Sequence, residues 1–228
     1  MSLSGTGAVL IWHDLAPEAL DDFYQWHNRE HMPERVAIPG FRQGRRYIAI
    51  EGRPQFFNLY EADTPAVLGG SAYLERLNHP TAWTRRVVPS FCNVARAICA
   101  VAFSEGVGCG GIMLTARFDV VAGTSRDDLA ACAAKPLLNV SRRTGVTGVH
   151  LCVADDAISR IETAEKKSRA DATAVPAAAL LIEGIGAAEV RLAFDAAWPA
   201  LAEWASGTPG VAVYRLEFMR LKTPSSAG

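Results

Sequence analysis

The segment Trp26-His27-Asn28-Arg29-Glu30-His31-Met32-Pro33 gathers two of the chain's five histidines within about one helical turn. At a spacing of four, both imidazoles share one face of a helix and can exchange a proton with a common ligand. His27-Asn28-Arg29-Glu30-His31 also satisfies the inverted zincin pattern, in which two histidines hold zinc and the glutamate acts as general base. Pro33 follows immediately, where that motif needs intact helix, and no third ligand stands at a suitable spacing. The expectation is therefore no metal and no cofactor, with His31 at the helix end as a general acid or base. The competing expectation is structural: both imidazoles cap the helix C-terminus and lean on its negative dipole.

A second group follows on strand-like sequence. Arg45 and Arg46 alternate faces, so one of them can face a pocket and steady an enolate or carboxylate. Tyr47 or Tyr60 can donate to a developing oxyanion. His13, beside Trp12, ends the first strand and can enter the same pocket. The assignment is His31, Arg46 and Tyr47 as catalytic groups, with His27, Arg45, Tyr60, His13 and Trp12 as substrate contacts. The alternatives are a solvated sheet edge for each arginine, core packing for each tyrosine and a solvated strand end for His13.

The elements that must position these groups are read from periodicity and punctuation. Residues 8–12 form a strand, Pro17 opens a helix carrying Leu20, Phe23, Tyr24 and His27 on one side, and Pro39-Gly40 stops it. Residues 44–50 and 56–61 flank the turn Glu51-Gly52-Arg53-Pro54 as a hairpin, 71–88 fit a helix, although His79 before Pro80 has the look of a helix terminus, and 94–103 form a long buried strand. This order is the ferredoxin-like βαββαβ unit. After the glycine-rich stretch 105–111 the order repeats: strand 112–121, a helix capped by Ser125, strands 148–153 and 178–183, helix 187–204 and strand 211–221. Gly7 and Leu10 align with Gly111 and Leu114, and Glu61 with Glu183. Residues 1–106 and 107–228 are thus read as two repeats, the second with a polar insertion at 158–175 expected to be a solvated helix or mobile loop. A four-stranded sheet with helices on one face leaves its other face apolar. The two repeats therefore pack their antiparallel sheets face to face as an intramolecular, pseudo-dimeric α/β barrel, with a small-molecule cavity between them.

Tyr24, His31-Met32-Pro33, Ile38-Pro39-Gly40-Phe41 and Arg45-Arg46-Tyr47 together resemble the EthD-like signature over roughly residues 20–60. The resemblance implies membership of the dimeric α/β-barrel superfamily and cofactor-free chemistry on aromatic or polyketide-like carbonyl compounds. The second repeat keeps none of the signature, which implies a single site. Tandem proteins resembling chlorite dismutase hold haem through a histidine of their C-terminal repeat, and His150 is the one histidine there. A non-catalytic binding protein and a structural protein with a filled barrel are the other readings.

Composition narrows the classes. Half of the 228 residues are apolar and the formal net charge is -1, so no basic excess attracts nucleic acid. Apolar runs fall far short of the roughly 18 residues of a membrane span. Five cysteines without a Cys-x-x-Cys pair argue against a disulfide framework and are read as buried, reduced side chains. The absence of a basic-then-apolar leader agrees with a cytoplasmic location. Because one chain supplies both halves of the barrel, further homo-oligomer formation is open but not required.

Overall fold

The computed structural model describes residues 3–169 and 172–223. The first half runs β1 (Gly7–Leu15), α1 (Leu20–Trp26), α2 (Met32–Ala37), β2 (Phe41–Glu51), β3 (Phe56–Ala62), α3 (Pro65–Gly69), α4 (Ser71–Asn78), α5 (Ala82–Val87) and β4 (Phe91–Gly106). The second runs β5 (Ile112–Val120), α6 (Arg126–Ser141), β6 (Val146–Ala154), α7 (Asp156–Ser159), α8 (Ala164–Lys167), β7 (Ala178–Gly184), α9 (Ala187–Ala197), α10 (Pro199–Ala202) and β8 (Ala205–Leu221). The single helix expected over 71–88 is broken at His79-Pro80, since proline lacks the N–H that would continue it. Among the described residues no helix is long and apolar enough to cross a membrane.

Each half is an antiparallel four-stranded sheet, and the halves join through β4 with β6 and β2 with β8. The result is a closed barrel in the order β1-β3-β2-β8-β5-β7-β6-β4, the pseudo-dimeric architecture read from the sequence. Closure leaves no bare sheet edge between the halves. Equivalent pairings, Ala8 with Glu61 and Met113 with Glu183, relate the two halves. They correct the sequence alignment by one residue: Leu10 corresponds to Thr115 rather than Leu114, and Gly7 to Ile112 rather than Gly111. A one-residue slip changes sheet face, and Leu114 accordingly packs outside the barrel while Leu10 packs inside.

The barrel interior is filled. Leu10, Trp12, Tyr47, Phe57, Leu181 and Tyr214 meet there; Trp12 stacks on Phe57 at 5.1 Å and donates from Nε1 to Thr115 Oγ1 at 3.0 Å. The cavity expected between the sheets is thus occupied by side chains, at the close packing usual for a core. Among the described residues, open space at one mouth forms a cleft of about 790 Å3 lined by residues including Ala95, Arg117, Asp119, Ser206 and Thr208. Helices α6 and α9 cover the outer face of the second sheet, and the α1–α2 segment covers that of the first.

Over its described residues the insertion is helical in part, as one of the two expectations has it, and it is docked on the first half rather than standing free. β6 pairs only with Cys99–Gly106 of β4, so the edge of β4 before residue 99 needs other partners. Asp155 N–H donates to Ile98 O at 2.8 Å, Ile98 N–H to Ser159 Oγ at 2.9 Å, Arg96 N–H to Ala174 O at 2.8 Å and Ala174 N–H to Val94 O at 2.9 Å. The start of α8 is tied to the end of α4 by Ala164 N–H donating to Asn78 Oδ1 at 3.1 Å. These bonds dock a segment of the second half onto the first.

Candidate active site

Pro33 falls inside the helical stretch that the sequence runs from Pro17 to Pro39-Gly40, where a proline breaks a regular helix. Instead the chain widens into one π turn, His27–His31, and resumes as α2 with Pro33 near its start. A widened turn absorbs the missing proline N–H without stopping the helix, and such turns often mark functional sites. Its consequence is that both imidazoles face the outer surface of the first sheet, with ring centroids 5.5 Å apart and exposures of 2% for His27 and 6% for His31. They do not cap a helix end. Glu30 turns instead to Thr81, whose hydroxyl donates to it at 2.5 Å, so the zincin-like residues do not converge.

Donor chemistry settles the protonation of His27. Arg46 Nη1 lies 3.2 Å from His27 Nδ1, and a guanidinium can only donate. Nδ1 of a neutral His27 therefore accepts, Nε2 carries the hydrogen and donates to Tyr60 Oη at 3.3 Å. Tyr60's own O–H is left for another acceptor. Arg46 is itself fixed by Glu217 at 3.2 Å and Asn28 at 2.8 Å, with its guanidinium 4.7 Å from the Tyr24 ring centroid. By the same reasoning Asn58 Nδ2 donates to His13 Nε2 at 3.1 Å, and His13 Nδ1–H donates to Asp14 O at 3.2 Å.

A closed cavity of about 20 Å3, room for about one water, lies against Ile11, His27, His31, Asn58, Tyr60 and Arg169. Three polar atoms of these residues are buried without a partner: His31 Nδ1, Asn58 Oδ1 and Arg169 Nε. Unsatisfied buried polar atoms are costly, so three around one cavity mark a place shaped for a polar ligand. Burial holds both His27 and His31 well below the usual imidazole range, with Arg46 adding to the effect on His27 and Arg35 on His31. Burial likewise pushes His13 down to about 3. Burial raises Tyr60 above the usual phenol range, keeping it a protonated donor.

The predicted residues divide by sheet face. His31, His27, Arg46, Tyr60 and His13 come together outside the barrel under α1 and α2. Arg45, Tyr47 and Trp12 lie inside it. Tyr47 therefore does not join His31 and Arg46, because consecutive strand residues point to opposite faces; Tyr60 stands beside them instead. Arg45 instead bridges Glu61 at 2.7 Å and Glu183 at 3.0 Å, all three side chains at most 1% exposed. Asn58, Arg35, Glu165 and Arg169 escaped the sequence reading. Asn58 was readable from its parity with Tyr60, and Arg35 from its spacing of four after His31. The two insertion residues gave no comparable signal. Against the expectation of burial for every cysteine, Cys99 and Cys152 are buried, Cys92 and Cys132 partly so, and Cys109 is exposed.

His150 lies on the inner face, wholly buried, with Nδ1 2.9 Å from Ser104 Oγ and Nε2 3.4 Å from Glu183 Oε1. The filled barrel around it leaves no face for a porphyrin, so this imidazole does not fit the axial haem ligand suggested by its position in the sequence.

No protein-family model and no curated protein matches the chain. Solved structures do. An anthrone oxidase-like protein superposes with a TM-score of 0.69 at 10% identity, covering 100% of this chain and 98% of that one. A Lactobacillus acidophilus protein provisionally assigned as a monooxygenase gives 0.57 at 8% identity, over 95% and 97%. A chlorite dismutase from Candidatus Nitrospira defluvii gives 0.53 at 8% identity, over 93% and 90%. At these identities the likeness shows the architecture: the chain has the fold of the dimeric α/β-barrel proteins, with both halves of the barrel in one polypeptide.

Proposed function

We propose that the chain is a cofactor-independent, EthD-like enzyme that moves a proton on a small aromatic carbonyl compound, in the pocket between the α1–α2 segment and the first sheet. One observation carries this reading: a buried imidazole nitrogen, His31 Nδ1, stands unpartnered beside a cavity that also receives the free Tyr60 hydroxyl hydrogen and the unpartnered Asn58 Oδ1. The fold-level likeness to an anthrone oxidase-like protein agrees with an aromatic substrate.

The chemistry follows from the groups left free. With its hydrogen on Nε2, His31 takes a proton at Nδ1 from the substrate carbon or hydroxyl. Tyr60 donates to the oxygen on which negative charge develops, and Asn58 Oδ1 accepts from a neighbouring substrate hydroxyl. His27 is not the base, because Arg46 occupies its acceptor nitrogen; it orients Tyr60, and Arg46 positions His27. Burial disfavours an imidazolium on its own, yet proton transfer forms that cation together with a substrate anion, so the pocket gains no net charge. The closed cavity is far smaller than an aromatic ring, and ligand entry requires the residues of the insertion to give way.

Anthrone in air, followed by oxygen uptake and absorbance, is a suitable first substrate. His31→Gln is expected to lower kcat by about a hundred- to ten-thousand-fold with little change in KM. Turnover by His31→Gln equal to that of the parent protein overturns the reading. Binding without turnover by any substituted aromatic ketone replaces the enzyme with a binding protein.

A further inference from the structure

Above the His31 cavity the insertion places a carboxylate between two arginines. Glu165 Oε2 pairs with Arg35 Nη2 of α2, and Glu165 Oε1 lies 3.8 Å from Arg169 Nη2; the three side chains are 8%, 4% and 5% exposed. A third buried arginine, Arg96, stands nearby and donates to the Tyr73 hydroxyl at 3.1 Å. Among the described residues, one buried carboxylate thus stands among three buried guanidiniums and pairs with two of them. Glu34, at 3.8 Å from Arg35 and 17% exposed, is shared with the surface residue Arg76 at 3.9 Å. Buried charges are normally paired, and an excess cation in a dry site is a standing cost unless an anion joins it.

Two donors record this excess directly. Arg169 Nε and Arg35 Nη1 are buried with no acceptor, and Arg169 lines the same cavity as His31 and Tyr60. Burial, reinforced by the like charges of Arg96 and Arg35, pushes the Arg169 guanidinium down to about 10, as expected where cation exceeds anion. Arg46, the anion-binding candidate of the sequence, is already paired with Glu217 and carries no comparable free donor toward the cavity.

We propose that the pocket takes its substrate as an aromatic carboxylate, whose charged group is held by Arg169 and Arg35 in the place that the Glu165 carboxylate now fills as an internal stand-in. The proposal rests on the outer-face pocket being the substrate site and adds the charge of the ligand. Glu165 shows that a carboxylate fits between these arginines. Its departure opens the cavity, and the aromatic ring of the ligand then extends toward His31 and Tyr60.

Salicylate and its neutral isostere salicylamide are the probes, titrated calorimetrically into the full chain. The parent protein is expected to bind salicylate at least tenfold more tightly than salicylamide. Glu165→Gln, which removes the internal competitor's charge, is expected to tighten salicylate at least tenfold and leave salicylamide unchanged. Arg169→Met is expected to weaken salicylate at least tenfold, again without effect on salicylamide, and Arg169→Lys to recover part of the loss. The comparison of the two compounds on the parent protein needs no variant to fold. Equal affinity for both, weakened alike in Tyr60→Phe, overturns the carboxylate proposal and leaves the pocket reading intact. No binding of either compound overturns the proposal, and binding that no pocket substitution alters overturns the pocket reading as well.

Discussion

Replacing Arg45 by Met tests how the two halves of the barrel are held together. Among the described residues, Arg45 is the guanidinium that joins Glu61 and Glu183, the carboxylates that the pseudo-symmetry of the chain makes equivalent. In the variant, Glu61 keeps its bonds from Gln43 Nε2 at 2.7 Å and Ser4 N–H at 2.6 Å, and Glu183 keeps Gly110 N–H at 3.1 Å. The balancing positive charge of Arg45 is gone. Removing one partner from a buried ion pair costs about 3–5 kcal/mol. For a protein of this size each kcal/mol moves Tm by roughly 2–4 °C, so a fall of about 6–20 °C is expected by scanning calorimetry. The deficit should depend on pH. Burial alone would raise the Glu183 carboxyl, but donation from His150 and the charge of Arg45 hold it below its ordinary value. Its stabilising contribution is therefore present above about pH 5 and lost as the pH falls. Without Arg45 the Glu183 carboxylate takes up a proton more readily, so the gap between variant and parent narrows toward pH 4. Adding Glu61→Gln and Glu183→Gln to the variant should recover much of the loss by removing the uncompensated charges. A single-variant loss under about 1 kcal/mol, or a gap that widens in acid, refutes the reasoning.

Three further outcomes follow from the same packing. His13 has an ordinary value of 6.5 and a folded value of about 3, so the unfolded chain binds its proton first as the pH falls. Stability should decline below about pH 6.5, by about 2 kcal/mol at pH 5 from His13 alone, with His27 and His31 acting in the same direction; urea titrations of the parent and His13→Gln at pH 7 and pH 5 measure it. Gly44→Ala would place a Cβ 2.1 Å from Met32 Sδ and 2.9 Å from Tyr60 Cδ1. It should cost about 1–3 kcal/mol by overpacking and shift the Tyr60 ring signals in NMR spectra. Ser159→Ala removes the hydroxyl that accepts from Ile98 N–H and should release the insertion, at a cost of about 1–3 kcal/mol, read as faster amide exchange at Ile98.

The strand order was legible because each strand carries alternating or continuous apolar residues bounded by glycine and proline, and the uncovered apolar sheet faces required a partner. The position of the pocket was not. His27 and His31 mark a shared helix face, yet the sequence does not say whether that face meets the barrel mouth or the outside of the sheet. Parity was informative where it was followed through: Arg46, Asn58 and Tyr60 share the outer face, whereas Tyr47 shares the inner face with Arg45. The π turn was hidden because Pro33 signals a stop in most helices. Glu165 and Arg169 were hidden for a different reason. They reach the first half only through tertiary hydrogen bonds to β4 and α4, which no local pattern encodes.

A crystal structure of the chain soaked or co-crystallised with salicylate decides whether ligand binds outside the barrel, between the π turn and the first sheet. The ring is expected beside His31, with an oxygen within about 2.6–3.2 Å of Tyr60 Oη, and Glu165 displaced from Arg35. Salicylate seated in the cleft at the barrel mouth beside Arg117, with the Arg35–Glu165 pair intact, would contradict that placement.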